Sequence, residues 1–409
     1  MMKNTSLHYP DSLRAEEDGT WTHTSVVNRL PEIARRVLEE NTLSKDIEAR
    51  ICSLIQEIPY GAIRYLQDES SLETGWNQYI QPYAGQNWLQ VPWFFVEEYF
   101  YRRLLEAIGY FTDQADKEFD PFVYQKEQGL ITSSGGIKKL IRQVEAWKNI
   151  TSPKIMLKRL LYMNLWGNQA DLSLWPVDES SLDGEKPGNL VDNQKENRIL
   201  IDDTSRIAGL ILAESQLKRL DLIADNAGFE LLCDLLLVDY LLSNQLIGRV
   251  VIHIKSHPVF VSDVMQSDMY QTLSYLLKGS DEKVSDFGAR LQTYIHTGQL
   301  EWQSHPFWVS PLPFWDMPKD LFEDLSRSNL IISKGDANYR RLLGDLHWPF
   351  EQSFEEIMAY APAPIAAIRV FKSEIIVGLP KGLDKKMYKK DAKWLYNGSW
   401  GLIQFSETM

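Results

Sequence analysis

The strongest constraint on the fold is a change of texture after residue 200. Leu220-Asp-Leu-Ile-Ala, Val250-Val-Ile-His-Ile, Leu330-Ile-Ile, Ile365-Ala-Ala-Ile-Arg-Val-Phe and Glu374-Ile-Ile-Val are short apolar runs bounded by turn residues, the pattern of strands buried on both faces. Helical stretches separate most of them, notably Phe229 to Leu242 and Leu325 onward. Strand and helix in alternation predict an α/β fold with a Rossmann-like, doubly wound, mostly parallel sheet, in which ligands sit beyond the carboxyl ends of the strands.

The first part of the chain reads differently. From Val26 to about Ile150, apolar residues recur at spacings of three and four, as in Leu30, Ile33, Ala34, Val37 and Leu38, then Ile51, Leu54 and Ile55, which predicts helices. In the aromatic-rich stretch from Trp88 to Leu105, Pro92 fits a first helical turn and the aromatics read as core rather than as a ligand platform. The expected organisation is a helical subdomain over 1–155 and a Rossmann-like domain over 156–409. A polar, Gly/Pro/Asp/Asn-rich interval near 176–200 reads as a loop insertion. The lysine-rich run Lys381 to Lys393 reads as a solvated loop or helix face.

Charge and composition narrow the function. The balance of 43 Lys and Arg against 56 Asp and Glu leaves a net charge of −13, which argues against a nucleic-acid or anionic-membrane binder but permits a small anionic ligand in a locally positive pocket. Cys52 and Cys233 lie far apart with no zinc-type spacing around them, so both are expected as free, buried thiols. No apolar leader begins the sequence and no run approaches a membrane span, which gives the expectation of a cytoplasmic protein without an obligate protein partner.

The chemistry concentrates at predicted strand ends. In Asp221-Leu-Ile-Ala-Asp225-Asn226-Ala-Gly228-Phe-Glu230, a strand delivers two adjacent oxygen ligands and Gly228 permits a tight turn into a helix whose N-terminus favours an anion. Asp225 or Asn226 would serve equally as a helix cap. The next strand runs into Ser256-His257-Pro258 and Ser262-Asp263, so that Asp225, Asn226 and Asp263 form an all-oxygen triad suited to manganese, magnesium or cobalt. His253 and His257 stand four apart in a strand-to-loop setting without the helical geometry of a zinc motif.

A third strand ends in Ser333-Lys334-Gly335-Asp336-Ala-Asn338-Tyr339-Arg340-Arg341. Its cations would hold phosphate oxygens, while Asp336 and Asn338 could bond hydroxyls; the same residues would also make a capped helix start with a basic turn. On the fourth strand, alternation puts Arg369 and Phe371 on one face and Val370 and Lys372 on the other, and a lysine at a buried strand end needs an anionic partner. Asn164-Leu-Trp166-Gly167-Asn168, followed by Asp171 and Ser173, forms a polar cluster that could close over a sugar. The phosphate-loop, nucleophile-elbow and dinucleotide glycine motifs are absent, and Ser133-Ser-Gly135-Gly136 with Lys138 and Lys139 is too loose a substitute.

Taken in order, Asn164-Leu-Trp-Gly-Asn168, Asp225-Asn-Ala-Gly-Phe-Glu230, His257-Pro with Ser262-Asp263, Lys334-Gly-Asp-Ala-Asn-Tyr-Arg340 and Arg369-Val-Phe-Lys372 resemble the damage-control phosphatase family, formerly DUF89. The chain looks most like the subfamily that acts on sugar phosphates and was also described as acidic-residue protein carboxyl methyltransferases. The resemblance extends through Glu97 to Arg103 and Asp120-Pro-Phe, nearly the whole chain.

It implies a helical N-terminal region on a Rossmann-like domain and a phosphomonoesterase assisted by manganese, cobalt or nickel. Asp225, Asn226 and Asp263 are implied as metal ligands, with Asp225 and Asp263 as catalytic groups. Glu230, the segment Asp336 to Arg340, and Lys372 are implied as substrate contacts. The family's Arg-Thr-x-Lys motif carries Val370 here in place of Thr, a loss of one hydroxyl that bears on substrate preference, while Arg369 and Lys372 remain as the motif's phosphate-binding cations.

The expected reaction is hydrolysis of a small sugar phosphate such as fructose 1-phosphate or fructose 6-phosphate, with Lys372 and Lys334 or Arg340 offsetting phosphoryl charge. The attacking group is water or an aspartate, Asp225 or Asp263. Two rivals stand beside it. One is an S-adenosylmethionine-dependent carboxyl methyltransferase, for which the sheet lacks a glycine-rich first loop. The other is a sugar-phosphate sensor without turnover.

Overall fold

The computed structural model describes residues 7–68, 75–112, 119–167, 197–213 and 217–407. Seven strands form one sheet: β1 Ile199–Asp202, β2 Leu217–Ile223, β3 Ile247–Ile254, β4 Leu300–Ser304, β5 Leu330–Lys334, β6 Ile365–Val370 and β7 Gly401–Ser406. Their order across the sheet is β1-β7-β6-β5-β2-β3-β4. Neighbours are parallel except β6 and β7, which run antiparallel. The fold is therefore α/β with a mostly parallel sheet and a helical N-terminal region. After β2 the chain moves outward through β3 and β4, then crosses back to lay β5 and β6 on the other side of β2. The carboxyl ends of β2 and β5 flank this reversal, where connecting loops diverge and leave a crevice.

Alternate residues of the central strands enter two separate cores. Ile223, Ile331, Ile365 and Ala367 join an apolar cluster with residues of the N-terminal helices between Leu13 and Phe122. Leu222, Leu330, Ile332, Ala366 and Ile368 join another with Leu130 to Trp166 and the helix Phe229–Ser243. Both sheet faces are covered, which is why these strands read as unbroken apolar runs. Residue 155 lies inside the helix Pro153–Trp166, which shares the second cluster with the helix Ser134–Ile150.

Some local expectations change. Glu374–Val377 is not a strand. Ile375 and Val377 are buried, but their carbonyls accept from Arg369 and from Gln404 Nε2 instead of a ladder, so burial alone made the run apolar. The helix near Leu325 ends there rather than starting, spanning Lys319–Leu325. Cys52 is exposed, while Cys233 is buried; both are free. Most of the interval near 176–200, with Asn168, Asp171 and Ser173, lies outside the described residues, and Ile199 and Leu200 form the start of edge strand β1. Among the described residues, no helix is long and apolar enough to cross a membrane.

The helix Trp93–Ile108 is fastened to the helix Asp336–Leu343 by buried charge. Arg340 donates to both oxygens of Asp345, at 2.7 and 3.0 Å, and to Glu97. Asp345 also accepts from the Phe94 amide at 2.9 Å, and Arg341 donates to Glu98 at 2.8 Å. Removing one member of such a set leaves an uncompensated buried charge. Asp345→Ala is expected to lower the unfolding free energy by about 3–5 kcal/mol, read by urea denaturation; a loss below about 1 kcal/mol, the scale of an exposed pair, would contradict this role.

Candidate functional site

The loops after β2 and β3 are laced together by main-chain hydrogen bonds. Val264 N donates to Asp225 O at 2.9 Å and Ala227 N to Ser262 O at 2.7 Å, with Asn226 and Asp263 forming an antiparallel bridge. This lacing brings Asp225, Asn226 and Asp263 into one place, as their strand-end positions implied. Gly228, at φ 74°, turns the chain into the helix Phe229–Ser243, whose first turn carries Glu230. Asn226 Nδ2 donates to Asp225 Oδ2 at 2.6 Å and to Glu230 Oε2 at 2.9 Å, and Asn226 Oδ1 accepts from Ser262 Oγ.

The loop after β5 closes the site from the other side. Gly335 has φ +87°, and a Cβ there would lie 2.1 Å from the Asp225 carboxyl carbon, so only glycine lets the backbone pass. In the β3 loop, Phe260 and Val261 both hold positive φ, 49° and 68°, a strained conformation for a β-branched residue. Phe260 forms part of the cavity wall.

Buried carboxylates crowd here. Burial pushes the Asp225 carboxyl well above the usual range, and the charges of Glu230 and Asp263 push it further, against Lys372 and Lys334. Asp263 is pushed up to about 6 by burial, with Lys255 holding it down in part. Lys255 Nζ lies 3.4 Å from Asp263 Oδ2 and donates to Trp308 O at 2.8 Å; that Asp263 oxygen is buried without a hydrogen-bond partner. Asp336 behaves oppositely. Burial opposes its ionisation, but Arg369 and Arg340 outweigh it and hold the carboxyl below the usual range.

The expected substrate cations divide into two groups. Lys334 is buried between Glu230 at 3.1 Å and Asp234 at 2.8 Å. Arg369 donates to Asp336 at 2.7 Å and to Ser373 and Ile375 carbonyls. Arg340 reaches the cavity edge, but its guanidinium is paired with Asp345 and Glu97 and lies 3.6 Å over the Trp93 ring. Lys372 is exposed, not buried at a strand end: β6 stops at Val370, so the expected alternation does not reach it. It lines the cavity, its amide held by Asp336 Oδ1 at 3.1 Å.

Other expected contacts turn inward. Tyr339 donates to Gln404 at 2.7 Å, and Asn338 Nδ2 donates to the carbonyls of Ala224 and Lys334. Asn164 packs beneath the site, donating to Leu160 and Cys233 carbonyls. His253 pairs with Asp221 at 2.8 Å, while His257 is buried and pushed down to about 4 by that burial. Among the described residues, no group of three or more His, Cys, Asp or Glu is placed to hold a metal ion; the candidate set is two carboxylates and an amide.

Around Asp225, Asn226, Asp263, Asp336 and Lys372 lies a cavity of about 340 Å³. Its wall also includes Trp21, Arg29, Glu97, Phe260 and Tyr396. Of these, Trp21, Arg29, Phe260 and Tyr396 carried no sequence signal of their own. A larger cavity, about 740 Å³, between Asp11–Thr22 and Leu346–Phe350 lacks the carboxylate and amide set.

Residues 25–387 match the family model described as the damage-control phosphatase ARMT1-like domain. The chain belongs to this family. It is 32% identical to the damage-control phosphatase ARMT1 of Danio rerio, covering 97% of each chain. It is also 32% identical to the Mus musculus protein of the same name, covering 97% of this chain and 98% of that one. A crystal structure of a DUF89 family protein from Pyrococcus horikoshii aligns with a TM-score of 0.46 at 14% identity, covering 89% of this chain and 93% of that one.

The carboxylate crowding of this damage-control phosphatase family member has a pH signature. A carboxyl that titrates at about 6 when folded and 3.8 when exposed retains its proton longer in the folded chain. The stability it contributes is present below pH ~4 and is lost as pH rises to ~6. In chelator-treated protein, the unfolding free energy of wild type minus that of Asp263→Asn is expected to fall between pH 4 and 6 and then level. A difference independent of pH, or one that rises, would contradict the assignment.

Proposed function

We propose that the chain is a metal-dependent phosphomonoesterase that hydrolyses small sugar phosphates of the fructose 1-phosphate or fructose 6-phosphate type. The observation that carries this reading is the convergence of buried Asp225, Asn226 and Asp263 on one small cavity walled by Lys372. Family membership and the relatives' phosphatase names support the reaction class.

The residues fit a hard divalent cation. Asp225 and Asp263 resist ionising side by side, and the buried Asp263 Oδ2 has only the Lys255 ammonium, at 3.4 Å, beside it, a crowding of carboxylates that a further cation relieves. Oxygen donors with open positions suit manganese, magnesium or cobalt, and the family resemblance adds nickel. When bound, such an ion supplies Lewis-acid polarisation of a phosphoryl oxygen.

The chain's own groups do the rest. Lys372 offsets charge on the phosphoryl oxygens, and Asp336, kept ionised by Arg369 and Arg340, anchors the Lys372 backbone and accepts from substrate hydroxyls. Glu230 fixes the Asn226 amide. Lys334, Arg340 and Arg369 act from behind by holding Glu230, Glu97 and Asp336. A cavity of about 340 Å³ is at the small end of ligand pockets and suits a phosphorylated metabolite. The free thiols Cys52 and Cys233 support a cytoplasmic, reducing setting.

Chelator-stripped protein is expected to release no phosphate from hexose phosphates and to regain activity with manganese, cobalt or nickel. Lys372→Ala should lose roughly 100- to 1,000-fold in kcat/KM, the scale of removing one charge-stabilising donor, and Asp225→Ala and Asp263→Ala at least as much. Inactivity with every metal, or full activity in both aspartate variants, would refute the reading.

A further inference from the structure

Most cations near the cavity are spent internally, which singles out Arg29. Its side chain is 45% exposed, whereas its partner Glu97 is 1% exposed. Glu97 accepts from Arg29 Nη1 at 3.2 Å through Oε1, while its other oxygen is taken by Arg340. Arg29 thus lines the cavity, tethered by one of five N–H groups.

It belongs to a different element of the cavity wall from Lys372. Lys372 follows β6 beside Asp336, whereas Arg29 closes a π-helical stretch, Ser25–Arg29, within the continuous helical run Trp21–Glu40 and is held by Glu97 of the helix Trp93–Ile108. The same segment supplies Trp21, whose Nε1 donates to Lys372 O at 2.8 Å and whose ring stacks on Tyr396 at 5.2 Å and 3°. On the proposed reading the transferred phosphoryl group belongs with Lys372 and the Asp225 set, which leaves Arg29, on a separate element of the same wall, for the remainder of the substrate.

We infer that Arg29 is a specificity-determining residue that donates to hydroxyl or carbonyl oxygens of the substrate's non-transferred polyol, with Trp21 and Tyr396 packing against its C–H face. This rests on the phosphatase reading above and adds the N-terminal segment to the substrate site.

The test compares wild type, Arg29→Ala and Arg29→Lys with manganese present. Calorimetry gives the affinities for fructose 6-phosphate and for inorganic phosphate, and turnover is followed with fructose 6-phosphate and with 4-nitrophenyl phosphate, which lacks a polyol. Arg29→Ala is expected to weaken fructose 6-phosphate binding and raise its KM roughly ten- to a hundredfold, the scale of one charged hydrogen bond. Its kcat, inorganic phosphate affinity and 4-nitrophenyl phosphate kinetics should stay unchanged, and Arg29→Lys should recover part of the loss.

Equal weakening for fructose 6-phosphate and inorganic phosphate, or unchanged fructose 6-phosphate binding, would overturn the inference. If wild type binds fructose 6-phosphate without releasing phosphate, the phosphatase reading fails and the affinity comparison still decides Arg29. Should Arg29→Ala not fold, Arg29→Gln carries the same comparison.

Discussion

The arrangement depends on placing Asp225, Asp263 and Glu230 together, buried, at the end of a sheet. Like charges in a low-dielectric setting repel, and burial penalises each one. The fold tolerates this because of its restraints: two loops hydrogen-bonded to each other through their main chains, a glycine pressed against the Asp225 carboxyl, and the Asn226 side chain donating to two of the carboxylates. Nearby cations only partly compensate. Lys334 serves Glu230 and Asp234, and Lys255 stands 3.4 Å from Asp263. The remaining deficit of positive charge faces the cavity, where a cation and, through it, an anionic ligand would answer it. On the proposed reading, this is how a chain with net charge −13 would attract a phosphate ester.

The helical N-terminal region is joined to the site by the same kind of physics. Glu97, Glu98, Arg340, Arg341 and Asp345 are buried, and each pairing crosses or braces the contact between two helices. Burial pushes Glu98 up to about 7, although Arg341 and Lys255 draw it down. Glu97 connects the brace to the cavity by holding Arg29 and Arg340 on its two oxygens.

The parallel core of the sheet was legible because β2, β3, β5 and β6 are buried on both faces and advertise it as apolar runs. β4 and β7 were not. β4, Leu300-Glu-Trp-Gln-Ser, is half exposed, and β7 is antiparallel and mixes Gln404 and Ser406 into its run. Glu374–Val377 misled for the converse reason, being buried without being in a ladder. Within the site, Asp225, Asn226 and Asp263 were legible because strand ends are where such sheets carry ligands. The inward turn of Lys334, Arg340 and Arg369 was not, because their carboxylate partners include residues as distant as Glu97 and Glu230. Trp21 and Arg29 were invisible because nothing local distinguishes a residue on a helical segment that happens to meet a cavity.

The claim that the carboxylate and amide set is a divalent-cation site is most directly tested by crystals grown or soaked with manganese. Anomalous scattering at the manganese edge should give a peak bounded by Asp225, Asn226 and Asp263, absent in crystals of Asp263→Asn. A peak at another group of residues, or none at this site in well-ordered wild-type crystals, would contradict the account.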